Sequence, residues 1–444
     1  MKSGKVGSSK PEVGRRKCQD GSGNLKAIRL KYFLLLTVVC VLLTIPLHAQ
    51  QRLQEKYPFL KTEKNRIDFY GDSTKFNTFF KRLDKVLLAG EGQVNVLHMG
   101  GSHVQGGTFS HSMRTYLQSI APGLKGQRGL LFPFTLANTN NPWNYKVEKT
   151  GDWEGARVSV SHHFSEWGIS GVSATVTNPA STATIYARDL QDAFSFDAVR
   201  IFYHMCECSY QPVVMNGTIV RSKVDSLKQF IEFTFSSPQD TLRLGLAQVD
   251  SIQSQFTLQG IQFLSSGPAI VYNPIGVNGA KTSDYLRSQS FSEQVKLIAP
   301  DVVLFGIGIN DANTYAKSFD QAKYEENYDA LIAVLKEANP DVSVLFLTNN
   351  DAYFQNQYPN PNAYKVRDAM INLAKRHDGA VWDFFEIMGG FDSIRIWEAY
   401  DLARPDKIHF SREGYELQAQ LLFYALRTAY GDYLSATFRK NAGR

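Results

Sequence analysis

The 444-residue chain is 43% hydrophobic, 12% aromatic and 20% charged, which excludes global disorder and leaves room for a main body plus a second module. Its formal charge of +6 comes from 48 basic and 42 acidic residues, a balance that would suggest a nucleic-acid partner if it were spread over the fold. Nine of the basic and two of the acidic residues lie within positions 1–49. That leaves 39 basic against 40 acidic, a net of −1, so the body gives no sign of binding nucleic acid.

Residues 1–49 read as an export signal or N-terminal anchor. A long basic stretch precedes an apolar run from Tyr32 to Leu47, interrupted only by Thr37, Thr44 and Pro46, and His48-Ala49-Gln50 supplies a small-residue exit. The run is shorter than the roughly 20 residues of a comfortable span. Cleavage after Ala49 predicts a periplasmic or secreted protein; retention predicts membrane anchoring by this segment. Cys18 and Cys40 leave with the signal, so the body keeps Cys206 and Cys208. In a strand, residues two apart point to one face and are awkward to bridge, so the expectation is free thiols.

Residues 50–66 are a polar lead-in, expected to be exposed. Phe76 to Leu88 carries apolar residues at helical spacing and ends at Gly90 and Gly92. A strand follows over Val94–Met99, then the turn Gly100-Gly101-Ser102-His103, then a helix from Thr108 to Ile120. From about 136 to 269 the pattern changes to short Val-, Ile-, Thr- and Phe-rich runs (157–160, 171–176, 198–203, 230–235, 241–246) separated by Gly, Pro, Asn and Ser. That spacing predicts an all-β sandwich or jelly-roll module. From 270 to 435 helices (283–297, 321–338, 361–377, 411–430) alternate with strands (302–305, 342–347, 380–384), and residues 436–444 form a tail. Apolar strands joined by helices imply a mostly parallel sheet covered on both faces. The first strand belongs to that sheet, so one α/β domain, 67–135 plus 270–435, is interrupted by the β module.

Four sites lie just past strands of the α/β domain, where parallel sheets form their ligand crevice. They are Ser102 in Gly-Gly-Ser-His, Gly279 in Gly-Val-Asn-Gly-Ala, Asn310 in Gly-Ile-Gly-Ile-Asn-Asp, and Asp406 with His409 in Asp-Lys-Ile-His. A serine hydroxyl becomes a nucleophile when a histidine takes its proton and a carboxylate fixes that histidine's tautomer. His409 can be that base and Asp406, three residues upstream, its orienter. Backbone N–H groups of Ser102 and Gly279 and the Asn310 amide can hold a developing oxyanion. Each has a plainer reading: Ser102 as a helix cap, Asp406 as a turn residue, Gly279 as a permissive turn position, His409 as a solvent-facing histidine before a helix, and Asn310 as a residue that only knits loops together.

In this order the segments resemble the SGNH or GDSL hydrolase superfamily. The resemblance implies a flavodoxin-like three-layer α/β fold and assigns Ser102, Asp406 and His409 as catalytic and Ser102, Gly279 and Asn310 as the oxyanion hole. His103, Gln105, Asn278 and Asp311, beside these residues, are candidates for the substrate pocket. One departure is visible: Gly101 stands where the family pattern has Asp, so any bond made by that Asp must be replaced. The interrupted layout is similar to periplasmic peptidoglycan O-acetylesterases, whose inserted module resembles a carbohydrate-binding domain. It implies an exported esterase acting on an O-acetylated glycan with no cofactor or metal. An O-acetyltransferase using the same triad and a non-catalytic glycan-binding protein are the alternatives. Asn138 to Trp143, Trp153 and Trp167 offer groups suited to sugar faces or to the core. His98, His103 and His111, and the pair His162-His163, match no zinc spacing.

Overall fold

The structure is a computed structural model that describes residue 1 and residues 50–121, 124, 127–188 and 194–442. The expected signal segment therefore lies outside the described residues, apart from Met1. Among the described residues no helix is long and apolar enough to cross a membrane.

Six strands build the main sheet: β1 (Ile67–Phe69), β2 (Gln93–Gly100), β3 (Ala269–Gly276), β4 (Val302–Gly306), β5 (Ser343–Leu347) and β6 (Ala380–Trp382). Their spatial order is β3-β2-β4-β5-β6-β1, parallel throughout except for β1, which pairs antiparallel with β6 at the edge. This is the flavodoxin-like order, and its switch point falls between β2 and β4. Alternation along β4 shows why it lies inside: Val302 and Leu304 enter one core, Val303 and Phe305 the other, and all four are buried.

Helices cover both faces. On one side pack α1 (Asn77–Asp84), α3 (Thr108–Gln118) and α6 (Arg412–Ala442), through Phe80, Met113 and Leu422 among others; the short α2 (Ser102–Gln105) lies between α1 and α3 in the chain. On the other pack α4 (Gln321–Ala338) and α5 (Ala363–His377). The start of α4 is set by Asp320, whose carboxylate accepts from Lys323 N at 3.0 Å. Its inward stripe is Tyr324, Tyr328, Leu331 and Leu335. The last helix runs past Gly431, through most of the residues expected to form a tail. The hydroxyls of Tyr430 and Tyr433 both donate to the Asp84 carboxylate, at 2.7 and 3.1 Å, and hold that extension on α1.

Between β2 and β3 the chain builds two antiparallel sheets. One contains strands 219–225, 230–239, 196–203, 256–264, 172–176 and 154–157, with 129–131 joining the 256–264 strand; the other contains 145–149, 183–187, 241–247 and 211–214. Their facing side chains, including Trp153, Ile185, Phe196, Leu244 and Phe256, form a core continuous with one face of the main sheet. Four further expectations change. Of the run expected as a strand over 157–160 only Arg157 belongs to one, the strand being Glu154–Arg157. The lead-in is not wholly exposed: Leu60 and Asn65 are buried, and Asn65 receives the indole N–H of Trp382 at 2.9 Å and donates to Leu421 O at 3.0 Å. The expected helix over 283–297 is two short helices, Thr282–Tyr285 and Phe291–Ile298. Cys206 and Cys208 form a disulfide instead of staying free. The strand ends at Tyr203, and a turn closed by Ser209 N donating to Cys206 O at 3.0 Å turns the two sulfurs toward each other.

Candidate active site

Parallel strands deliver their following loops to one edge, and the switch point separates the loops after β2 and β4 enough to leave a crevice. Ser102 opens α2 directly after β2. Its Oγ lies 2.8 Å from His409 Nε2, and His409 Nδ1 lies 2.9 Å from Asp406 Oδ2. With the ring proton on Nδ1 facing the carboxylate, Nε2 accepts the serine hydroxyl. The other Asp406 oxygen accepts from the backbone N–H groups of Ile408 and His409, both at 2.9 Å. Burial by itself would raise the Asp406 carboxyl, but the bonds from His409 and Ile408 outweigh it and hold the group below the usual carboxylate range. Asp406 is thus a charged anchor for the ring.

The opposite wall is assembled from three loops. Gly279 lies in the left-handed region at φ +80 in an exposed turn closed by Ala280 N donating to Val277 O at 3.0 Å. Asn310 Nδ2 donates one N–H to Ala280 O at 3.0 Å, which leaves its second for the crevice. The turn before Asn310 needs Gly308: a Cβ there would stand 2.4 Å from Asn349 Nδ2 and 2.5 Å from the Tyr324 hydroxyl. The Tyr324 and Tyr328 hydroxyls both donate to Ile307 O at 2.7 Å and fix the same turn. Ser102, as the first residue of α2, has a backbone N–H with no partner in the preceding turn of helix.

Gly101 is explained by space. A Cβ at this position would come within 3.2 Å of Asn310 Nδ2 and 3.8 Å of the carbonyls of Val277 and Ala280. A side chain here would press on the amide that completes the wall. The turn is held instead by Val104 N and Gln105 N donating to Gly101 O, at 3.1 and 3.0 Å, and by the Tyr285 hydroxyl donating to Gly100 O at 2.6 Å.

The four pocket candidates divide. Asn278, half-buried, borders the crevice and hydrogen-bonds Asn140. Gln105 is buried and its amide is committed: Oε1 accepts from Asn278 N at 2.7 Å, and Nε2 donates to Asn140 O at 3.1 Å. It supports the glycine loop from behind. Asp311 accepts from Thr282 N and Oγ1 at 3.1 and 2.8 Å, with burial pushing its carboxyl up to about 6. The ring of His103 stacks on that of His409, centroids 5.0 Å apart, and its Nδ1 bonds the Tyr415 hydroxyl at 2.9 Å. Burial, then the neighbouring His409, push it down to about 3, so it stays neutral.

Sequence reasoning missed Ser159, a residue of the inserted region whose hydroxyl donates to Asn278 O at 2.7 Å, because nothing in its local pattern distinguishes it from other loop serines. The aromatic groups also sort themselves. Trp153 and Trp167 are buried, and Trp143 has the Arg412 guanidinium 4.2 Å over its ring. Among the described residues no group of three or more His, Cys, Asp or Glu side chains is arranged to hold a metal.

Residues 254–417 match the family model of the GDSL-like lipase/acylhydrolase family, a span that includes Gly279, Asn310, Asp406 and His409 but not Ser102. No curated protein matches the sequence. Among solved structures, a peptidoglycan O-acetylesterase superposes with a TM-score of 0.67 at 19% identity, over 82% of this chain and 99% of that one. An acetyl xylan esterase (23% identity, 35% of this chain and 80% of that one, TM-score 0.28) and a carbohydrate esterase family 3 protein from Talaromyces cellulolyticus (18%, 38% and 74%, 0.27) are also similar in part.

Proposed function

We propose, from the match of residues 254–417 to the GDSL-like lipase/acylhydrolase family model and the fold shared with a solved esterase, that the chain is an SGNH-type exported serine esterase that removes O-acetyl groups from a carbohydrate, peptidoglycan or another polysaccharide. The observation that carries this reading is the continuous relay from Asp406 through His409 to Ser102, at 2.9 and 2.8 Å, facing the Asn310 amide across the crevice.

His409 takes the Ser102 proton as Oγ attacks the acetyl carbonyl. The N–H groups of Ser102 and Gly279 and the free N–H of Asn310 stabilise the oxyanion, each such donor being worth about 2.7 to 4 kcal/mol in related chemistry. The C–O bond to the sugar then breaks, and His409 returns the proton to the leaving sugar oxygen. Water, deprotonated by the same ring, attacks the acetyl-serine and releases acetate. None of these steps calls on a cofactor. The choice of an acetylated glycan is supported by the fold, module included, that the chain shares with a protein named a peptidoglycan O-acetylesterase. Export is supported by the composition of residues 1–49.

Two measurements test the proposal. Acetate release from a panel of O-acetylated glycans and from p-nitrophenyl acetate is expected for the protein and lost, by about 10⁴-fold or more, in Ser102→Ala. Turnover by Ser102→Ala equal to that of the parent refutes the nucleophile assignment. Acetyl appearing on an added sugar acceptor without matching free acetate would instead identify a transferase. Fractionation of expressing cells checks export, with the protein expected outside the cytoplasm.

A further inference from the structure

Scattered exposed aromatic residues are normal on a protein surface, but two here share a base. Tyr315 and Tyr358 are 65% and 43% exposed, and their ring centroids lie 5.3 and 5.6 Å from that of the buried Phe354. Tyr315 belongs to the loop that carries Asn310 out of β4. Phe354 and Tyr358 face each other in a hairpin, Tyr353–Phe354 against Tyr358–Pro359, that follows β5.

This hairpin is fastened to both halves of the active site. Toward the acid-base loop, Tyr353 N donates to Lys407 O at 2.9 Å and Asn350 Nδ2 to Ile408 O at 3.0 Å. Toward the Asn310 loop, Asn360 and Asn362 donate their side-chain amides to Ala312 O at 2.9 and 3.0 Å, and Asn362 also donates to Thr314 O at 2.9 Å. The aromatic pair is therefore held at the edge of the sheet where Ser102, Asn310 and His409 meet.

We propose that Tyr315 and Tyr358, resting on Phe354, form a carbohydrate subsite that takes the sugar units flanking the acetylated one. The inference rests on the reading of the active site as a glycan deacetylase and extends it to a substrate longer than one sugar. A pyranose ring presents an apolar face of C–H groups with hydroxyls at its rim. A tyrosine offers the complement, an apolar ring face and a polar tip. A fatty acyl chain would want an enclosed apolar groove, whereas this pair stands open to water.

Binding is measured by calorimetry in Ser102→Ala protein, which leaves acetylated glycans intact, with O-acetylated xylo-oligosaccharides and soluble O-acetylated peptidoglycan strands as probes. Adding Tyr315→Ala or Tyr358→Ala is expected to weaken binding of at least one probe by about tenfold. Tyr315→Phe and Tyr358→Phe, which keep the ring, are expected to stay within about threefold. Affinity unmoved by both alanine changes, or no binding of either probe before they are made, overturns the subsite. Because the assay needs no turnover, it is separable from the esterase proposal. Acetate release with tyrosine-indifferent affinity refutes the subsite alone; tyrosine-dependent binding without acetate release refutes the esterase alone.

Discussion

The two arms of the proposed active site are built in opposite ways. The proton-handling arm is local: Asp406 and His409 share one turn, and the carboxylate is satisfied by groups within three residues of itself. The oxyanion arm is assembled from distant chain segments, with Gly279 braced through Asn278 by Gln105 and Ser159, and Asn310 bonded to Ala280. A local arm takes the bonds that orient its ring from one short stretch of chain, even though the hairpin after β5 also holds that stretch through Lys407 O and Ile408 O. A dispersed arm depends on the whole sheet and on the inserted module, so the sensitivity to substitution should differ between them.

The largest expected effect lies in the local arm. Asp406→Asn keeps the shape of the side chain but removes the charge that fixes the Nδ1–H tautomer of His409, and a loss of about 10⁴-fold in kcat is expected. Circular dichroism should change little, because both backbone donors can still find the remaining oxygen, while the unfolding temperature should fall modestly with the loss of the stabilising charge. A variant within tenfold of the parent would show that the ring is oriented by other contacts, the stack on His103 being the first candidate.

The two arms also hold aspartates with opposite shifts. Asp406, with its carboxyl depressed, adds stability that is present above the ordinary value of 3.8 and is lost as pH falls through the folded value. Asp311, in the oxyanion arm, is raised by burial to about 6. Between pH 3.8 and about 6 the folded state keeps a proton on Asp311 that the unfolded chain has released, so its contribution falls as pH rises through that window. The change is about 2 to 3 kcal/mol and is complete above pH 7 or so. Asp311→Asn, neutral throughout, should flatten it. Urea unfolding of parent and variant at several pH values tests this, the difference between their slopes cancelling other groups. Parallel slopes would mean that Asp311 titrates near its ordinary value.

The same division explains what could be read from the chain. Ser102 and Asn310 stand in short motifs just past strands, the Asp406/His409 pair stands in a short motif just before the last helix, and the helix over 321–338 and the strand over 302–305 follow from apolar spacing. Strand β3 escaped because Asn273 and Pro274 interrupt its pattern. Pro274 is tolerated there because β3 is the sheet edge, where no outer neighbour needs its missing N–H. The disulfide escaped because the two-residue strand argument does not apply to Cys206 and Cys208, which lie beyond the end of the 198–203 run, in a turn whose course composition does not reveal. Gln105 could be named from its place beside Ser102, but not its buried bond to Asn278, which joins residues 173 apart in the chain.

Gln105 is therefore the place to test how far the dispersed arm depends on its braces. Gln105→Leu keeps the approximate volume yet leaves Asn278 N without its acceptor, an unsatisfied donor costing about 1 to 3 kcal/mol. If the glycine loop relaxes to find another partner, Gly279 N moves off the oxyanion position. The expected result is a fall of about tenfold in kcat on p-nitrophenyl acetate with a smaller change in KM. Gln105→Glu separates the two functions of the amide. Its carboxylate still accepts from Asn278 N, but it cannot donate to Asn140, so kcat should recover most of the loss if the bond to the glycine loop is what matters. Equal damage from both variants would place the brace in the contact with Asn140. A Gln105→Leu rate within twofold of the parent would mean that the glycine loop holds its own shape, and the contrast between the arms would fail.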